Sequence, residues 1–99
     1  MAMEAVKNDG TAHTREVTIQ NRFGIHARPA ALFVKTANRF QSDISVEKDG
    51  QRVSGKSIIG LMTIEGYQGA VLRLTASGPD ATESLDALED LVLQKFFED

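Results

Sequence analysis

The stretch Gly24-Ile25-His26-Ala27-Arg28-Pro29-Ala30 joins a glycine turn to the start of a helical pattern. The apolar residues of that pattern recur at three- and four-residue spacing: Ala30, Phe33, Val34 and Ala37. Such a stripe is typical of an amphipathic helix. Pro29 suits the first turn of this helix, because a proline there loses no hydrogen bond. We therefore expect His26 to be the N-cap and the helix to fade near residues 38–41.

A histidine at a helix N-cap is well placed for phosphate chemistry. The helix dipole disfavours a positive charge on the ring and so favours its neutral, nucleophilic form. The backbone N–H groups of Ala27 and Arg28 have no intrahelical acceptor and suit an anion. The Arg28 guanidinium can hold phosphate oxygens in a fork. A lone histidine near a helix start is more often a plain capping residue, but the combination with Gly24, Arg28 and Pro29 favours a phosphate site.

The composition describes one small domain, and a cytoplasmic location is the simplest expectation. The 99 residues include no cysteine, so disulfides and thiolate metal sites are excluded. No apolar run approaches the ~20 residues of a membrane span, and residues 1–10 lack a signal-peptide pattern. The net charge of −3 argues against nucleic-acid binding. We expect neither membrane insertion nor a metal or other cofactor.

The charges are unevenly distributed along the chain. No Asp or Glu lies between Glu16 and Asp43, whereas acidic residues crowd the C-terminal end. Four basic residues fall in that interval: Arg22, Arg28, Lys35 and Arg39. This distribution predicts an electropositive face around His26 that would attract anionic partners. Lys35 and Arg39 could equally be ordinary solvated side chains.

Alternating apolar and polar residues predict four strands. They lie at residues 16–20, 44–47, 52–53 and 72–76. The Asp49-Gly50 pair between the second and third strands is a hairpin signal.

The last helix is predicted after the final strand. Asp80 is its expected N-cap, and Glu83 completes a capping-box-like pair. Its apolar stripe comprises Leu85, Leu88, Val92 and Phe96. At the other end of the chain, residues 1–13 are interpreted as a loose arm, with His13 an incidental tail residue, preceding a domain of residues 14–99.

Ser57 is placed to cap a short helix of unusual composition. Five large apolar residues fall within seven positions: Ile58, Ile59, Leu61, Met62 and Ile64. A short helix on a sheet can bury only about half of its circumference. We expect Leu61 and Ile64 to face the core, and Ile58, Ile59 and Met62 to form an exposed patch, unless the last helix covers it.

The predicted order is strand, helix, strand, strand, helix, strand, helix. Short connections make this an α+β, two-layer, open-faced sandwich, with a four-stranded antiparallel sheet and three helices on one face. Leu32 lies off the apolar stripe of the first helix. It is either exposed beside His26 as a docking contact or half-buried at the helix edge.

Two stretches of the chain resemble HPr, the histidine-containing phosphocarrier of the bacterial phosphoenolpyruvate:sugar phosphotransferase system. Gly24 to Ala30 is similar to the family's phosphorylation-site signature. Lys56-Ser57-Ile58-Ile59-Gly60-Leu61-Met62 resembles its regulatory serine segment, at the family's usual separation from the histidine. The likeness runs from about Arg15 to Phe97.

The resemblance implies the sheet order 1-4-2-3 and phosphoryl transfer through Nδ1 of His26. The implied donor is enzyme I, charged from phosphoenolpyruvate, and the acceptors are IIA domains of sugar permeases. Ser57 would be the target of an ATP-dependent HPr kinase/phosphorylase, and the modified form could act as corepressor for a catabolite-control regulator. The chain would be a covalent carrier rather than an enzyme with turnover. We also expect a monomer, because the apolar patch is needed for exchanging partners.

The chain departs from the commoner forms of the motif at three places. Phe23 stands where some members have a small polar residue, Glu65 stands where small residues are common, and the ending Phe96-Phe97-Glu98-Asp99 leaves open the role of a C-terminal carboxylate. Two alternatives stay open. One is a phosphocarrier of the nitrogen-regulatory branch, and the other is a ferredoxin-like ligand-binding module without covalent chemistry.

Overall fold

A computed structural model describes residues 12–98 of the chain. The four strands are β1 (Ala12–Thr18), β2 (Asp43–Lys48), β3 (Gln51–Ser54) and β4 (Val71–Ser77). The three α-helices are α1 (Ala27–Ala37), α2 (Ile58–Thr63) and α3 (Ala81–Leu93). A single turn, Lys95–Phe97, follows α3. The order β-α-β-β-α-β-α agrees with the sequence-based prediction.

The strands form one antiparallel sheet in the order β1-β4-β2-β3. In this register Leu72 of β4 lies opposite Val17 of β1, and Leu74 lies opposite Val46 of β2. These side chains point to the same face and are buried, and the helices pack over that face. The open-faced α+β sandwich is therefore confirmed, and so is the strand order that the family resemblance implied.

The predicted hairpin and helix stripes are present. Asp49 and Gly50 have φ of 52° and 81°, the two left-handed residues that a type I′ hairpin turn requires. The stripe of α1 is buried, as are Leu85, Leu88 and Val92 of α3. Phe96 is also fully buried, but it belongs to the turn after α3 and not to the helix itself.

The first strand lies earlier in the chain than expected. β1 begins at Ala12 and ends at Thr18, and His13 pairs with Ala76 of β4. Ala12 and His13 therefore belong to the sheet and not to the N-terminal arm. The alternation of apolar and polar residues did not locate the start of β1, because β1 is an edge strand and most of its side chains are exposed. The rest of the predicted arm lies outside the described residues.

Asp80 occupies the N-cap position of α3 but does not cap the helix through its side chain. Its carboxylate instead accepts hydrogen bonds from the backbone N–H of Gln41 (2.9 Å) and Ser42 (3.0 Å) and from the Ser42 hydroxyl (2.6 Å). The expected capping box with Glu83 is therefore wrong. The Asp80 carboxylate binds three donors from the loop between α1 and β2 instead of the free N–H groups of α3. Asp80 thereby joins that loop to the start of α3.

The Asp80 contacts predict a stability that depends on pH. The Ser42 hydroxyl, helped by the Gln41 and Ser42 N–H groups, lowers the pKa of Asp80. A lowered pKa in the folded state contributes stability at neutral pH that is lost as the pH falls below about 4. We expect Asp80→Asn to lower the free energy of unfolding at pH 7 and to differ less from the wild type as the pH falls through this range. Urea unfolding at several pH values measures this, with Asp90→Asn on an exposed face of α3 as control. An equal loss at every pH would contradict the role of the Asp80 charge.

Candidate functional site

His26 is the N-cap of α1, as predicted. Its backbone is extended (φ −88°, ψ −165°), and its carbonyl accepts the first helical hydrogen bond from Ala30 N at 3.0 Å. The ring makes no capping bond to the helix, and 44% of the side chain is exposed. Pro29 is buried in the first turn. The imidazole therefore lies at the surface, partly open to solvent.

The loop before His26 is held against the segment that follows α2. The Ile25 N–H donates to the Gly66 carbonyl at 2.8 Å, and the buried Asn21 amide donates to the Gly24 carbonyl at 2.8 Å. Gly24 has a φ of +65°, and a Cβ there would collide with the Gly66 carbonyl and lie 2.9 Å from Tyr67 Cα. Only glycine allows this approach, which sets the direction in which the chain enters α1.

The expected anion-binding groups lie beside the ring. Ala27 and Arg28 are the first two residues of α1, so their N–H groups have no intrahelical acceptor. The Arg28 guanidinium donates to the Phe96 carbonyl at 3.1 Å and to Glu98 Oε2 at 3.3 Å. The structure therefore brings together His26, Arg28 and the two N–H groups, and it adds a residue that the sequence analysis named only as part of the C-terminal ending.

That residue is Glu98, whose carboxylate lies against the His26 ring. The His26 Nε2 atom is 3.0 Å from Oε2 and 3.3 Å from Oε1, and the Asn21 amide donates to Oε1 at 3.1 Å. Only 19% of the Glu98 side chain is exposed. Since 72 positions separate the two residues, the acidic C-terminal end returns to the histidine. The predicted electropositive face is therefore wrong at His26 itself.

The surroundings of Glu98 favour its charged form. Desolvation acts to raise the pKa of this carboxyl, but the hydrogen bonds from His26 and Asn21 and the nearby charge of Arg28 outweigh it, and the pKa is lowered. The site at neutral pH therefore contains a carboxylate held by an imidazole, an amide and a guanidinium. These donor types also bind phosphate oxygens.

Exposed aromatic side chains border the site on two sides. Phe23, with the Arg22 guanidinium 5.3 Å from its ring centre, lines one hollow together with Arg28, Phe97 and Glu98. A second hollow, which includes His26, is lined by Phe23, Ile25, Glu65, Gly66 and Tyr67. Phe23 and Glu65, which depart from the commoner forms of the motif, therefore both line the hollow that includes His26.

The Ser57 segment has the predicted geometry. The Ser57 hydroxyl accepts from Gly60 N at 2.9 Å and caps α2. A Cβ at Gly60 would lie 3.1 Å from both this hydroxyl and Val53 Cβ, so glycine lets α2 lie close to β3.

The exposed patch beside Ser57 is also present. Ile58, Ile59 and Met62 are 42%, 77% and 46% exposed, whereas Leu61 and Ile64 are buried. Leu32 is half-buried and packs against the core, as in the second interpretation of that residue. The last helix does not cover the patch.

Within residues 12–98, no three His, Cys, Asp or Glu side chains are grouped so that they could hold a metal ion. In the same range no helix combines the length and apolar character needed to cross a membrane.

On this open-faced sandwich a surface histidine stands at the N-terminus of α1 beside an arginine, which is the arrangement of the histidine phosphocarriers that the chain resembles. The family described as the PTS HPr component phosphorylation site matches residues 13–94. The chain belongs to the HPr family of the phosphotransferase system, and the resemblance stated above is confirmed.

Individual relatives agree with this assignment. The chain is 45% identical over 85 residues to phosphocarrier protein HPr of Treponema pallidum, covering 86% of this chain and 97% of that protein. It is 46% identical over 74 residues to HPr-like protein Crh of Halalkalibacterium halodurans, covering 75% and 88%. The crystal structure of HPr-C-His from Thermoanaerobacter tengcongensis superposes with a TM-score of 0.85 at 48% identity, covering 88% of this chain and 98% of that one. Solved structures of relatives include dimers.

The loop geometry predicts that Gly24 is needed for the site. Gly24→Ala should lower the free energy of unfolding by about 2 kcal/mol or more, because it combines a strained φ with a collision at Gly66. It should also move His26 relative to α1. The matched control is Gly69→Ala, where φ is +90° but the added Cβ meets nothing within 4 Å. We expect this control to lose only about 1 kcal/mol. Thermal or urea unfolding of both variants measures the difference, and equal losses would contradict the importance of the Gly24 approach.

Proposed function

We propose that the chain is a phosphocarrier that receives a phosphoryl group on His26 from phosphorylated enzyme I and passes it to IIA domains of sugar permeases. The observation that carries the proposal is the position of an exposed imidazole at the N-terminus of α1, beside the Arg28 guanidinium. Membership of the HPr family supports the same chemistry and argues against a ferredoxin-like binding module.

The geometry favours Nδ1 as the attacking atom. Nε2 is engaged by Glu98. Nδ1 is also the atom that the HPr resemblance implies. The Nδ1 lone pair attacks phosphorus in line, the bond to the donor breaks, and the donor keeps the electron pair. The N–H groups and Arg28 then hold the phosphate oxygens.

The site is suited to temporary binding. A phosphoryl group on His26 would be held by two N–H groups and one guanidinium at an exposed surface, which leaves phosphorus accessible to the next nucleophile. A site that bound phosphate more tightly would slow its onward transfer. This is the behaviour expected of a carrier that serves several acceptors.

The exposed apolar patch provides a docking surface in this proposal. Ile58, Ile59 and Met62 lie on α2, which packs against α1. The backbone after α2 contacts the His26 loop through Gly66. Enzyme I and IIA domains would cover the patch, with Leu32 at its margin, while the phosphoryl group moves. We propose that the chain works as a cytoplasmic monomer, since a stable dimer through the patch would block these partners.

Phosphorylation of Ser57 is the proposed regulatory step, with an ATP-dependent HPr kinase/phosphorylase as the modifying enzyme. The phosphate would meet the N–H groups at the start of α2. It would also place about two negative charges beside Ile58, Ile59 and Met62. Partners that bury the patch would bind more weakly, and a catabolite-control regulator able to bind the phosphate would gain a new contact.

The carrier proposal predicts one labile phosphate on one histidine. After incubation with phosphoenolpyruvate and enzyme I, mass spectrometry of the intact protein should show a single acid-labile phosphate. His26→Ala should abolish this phosphate. His13→Ala changes the second histidine of the chain, which lies in β1, and should leave the phosphate in place. An unlabelled wild type, beside a control carrier that is labelled, would contradict the proposal and favour a nitrogen-branch donor.

The Ser57 proposal predicts that a charge at the start of α2 slows transfer. Ser57→Asp retains a capping side chain and adds one charge. We expect Ser57→Asp to raise the KM for phosphorylation of His26 by enzyme I at least threefold. A threefold change corresponds to about 0.7 kcal/mol, which repulsion or a lost contact at a partly exposed patch can supply. Gln51→Glu adds the same charge in the β2–β3 hairpin and is the matched control. Equal KM values for the two variants would contradict the proposal.

A further inference from the structure

We propose that Glu98 is a positioning residue for His26. Its carboxylate holds the proton on Nε2, leaves Nδ1 as the bare nucleophile, and stabilises the positive charge that the ring acquires when Nδ1 is phosphorylated. This inference rests on the proposed function, and the tests below separate the two.

The position of Glu98 is built into the fold. Lys95, Phe96 and Phe97 all have φ between 53° and 59°, a run of three left-handed residues without glycine, which is a strained backbone. Phe96 is completely buried and anchors the turn. Its carbonyl accepts from Arg28. The chain therefore adopts a strained turn that directs the next side chain, Glu98, onto the His26 ring.

The contacts of Glu98 select one tautomer of the neutral ring. A neutral imidazole carries one N–H, and a carboxylate can only accept a hydrogen bond. The Nε2 atom of His26 is 3.0 Å from Glu98 Oε2, so the proton lies on Nε2. The lone pair is then on Nδ1. Asn21 holds the other carboxylate oxygen and fixes the orientation of Glu98.

The same contact assists the chemical step. When the Nδ1 lone pair forms the N–P bond, the leaving group takes the electron pair of the broken bond and the Nε2 proton stays on the ring. The ring then carries a positive charge beside the phosphoryl group. A carboxylate 3.0 Å from Nε2 stabilises this charge as it develops. The positive end of the α1 dipole would otherwise oppose this charge.

Other charged groups near the ring do not supply this effect. Arg28 is positive and shares Glu98 Oε2 at 3.3 Å, and Arg22 lines the adjoining hollow. Glu65 lines the hollow that contains His26 but makes no hydrogen bond to it among the described residues. When Arg28 turns to the incoming phosphate, Asn21 still holds Oε1 of Glu98. The carboxylate can therefore remain in place during transfer.

The tautomer is tested on the protein alone, without any phosphoryl donor. Long-range ¹H–¹⁵N correlation spectra distinguish protonated from bare ring nitrogens, and His13 provides an internal reference. We expect the neutral His26 ring to be protonated on Nε2 in the wild type and in Asp90→Ala, which removes an exposed charge from α3. Glu98→Ala should show a mixture of tautomers. Glu98→Gln keeps an acceptor oxygen and should retain the wild-type tautomer. A His26 spectrum unchanged in Glu98→Ala would overturn the proposal.

The charge effect is tested with phosphoramidate, a small donor that needs no docking surface. We expect Glu98→Ala to be phosphorylated roughly fivefold to tenfold more slowly than the wild type, which is what losing a partly exposed, charge-assisted hydrogen bond gives. Glu98→Gln should be slower than the wild type although its tautomer is unchanged, and Asp90→Ala should not. Equal rates for Glu98→Ala and Asp90→Ala would overturn the proposal.

The same donor separates this proposal from the proposed function. A wild type that accepts phosphate from phosphoramidate but not from enzyme I would contradict the proposed donor and leave the role of Glu98 standing.

Discussion

The hydrogen bond from the Ile25 N–H to the Gly66 carbonyl determines how the site is built. It joins the loop before α1 to the segment that links α2 with β4, and the missing side chain of Gly24 allows the two backbones to approach. With this contact formed, the chain leaves the loop at His26 and enters α1 with its free N–H groups at the surface. The His26 loop and the segment after α2 are therefore joined by a direct backbone contact.

Much of this architecture could be predicted from local patterns. The helix stripes, the Asp49-Gly50 hairpin and the caps at His26 and Ser57 depend on neighbours within about four positions, where periodicity and turn chemistry carry the information. Asp80 shows the limit of such reasoning. A local rule places its carboxylate on the helix N–H groups, but three donors from the loop after α1 compete for it and are preferred. A capping motif covers only about four neighbouring residues, so it cannot indicate a contact between residues 38 positions apart.

Glu98 shows the same limit within the site. The acidic C-terminal end looked remote from a basic stretch around His26, and the uneven distribution of charges along the chain predicted an electropositive face. The left-handed turn after α3 reverses the chain and brings the carboxylate back. Nothing in the residues 95–97 indicates this backbone, because none of them is a glycine. Burial of Phe96 determines it, and burial is a property of the whole core.

The site balances two opposing electrostatic effects on one ring. In the proposed transfer the ring becomes positive and the phosphoryl group is negative, so the dipole of α1 and Arg28 would favour the phosphate while Glu98 would favour the ring. The Arg28 guanidinium already lies 3.3 Å from Glu98. An arriving phosphate would therefore draw Arg28 away from this carboxylate, and the competition limits how tightly the phosphate is held. A carrier requires that limit, because the phosphoryl group must leave again.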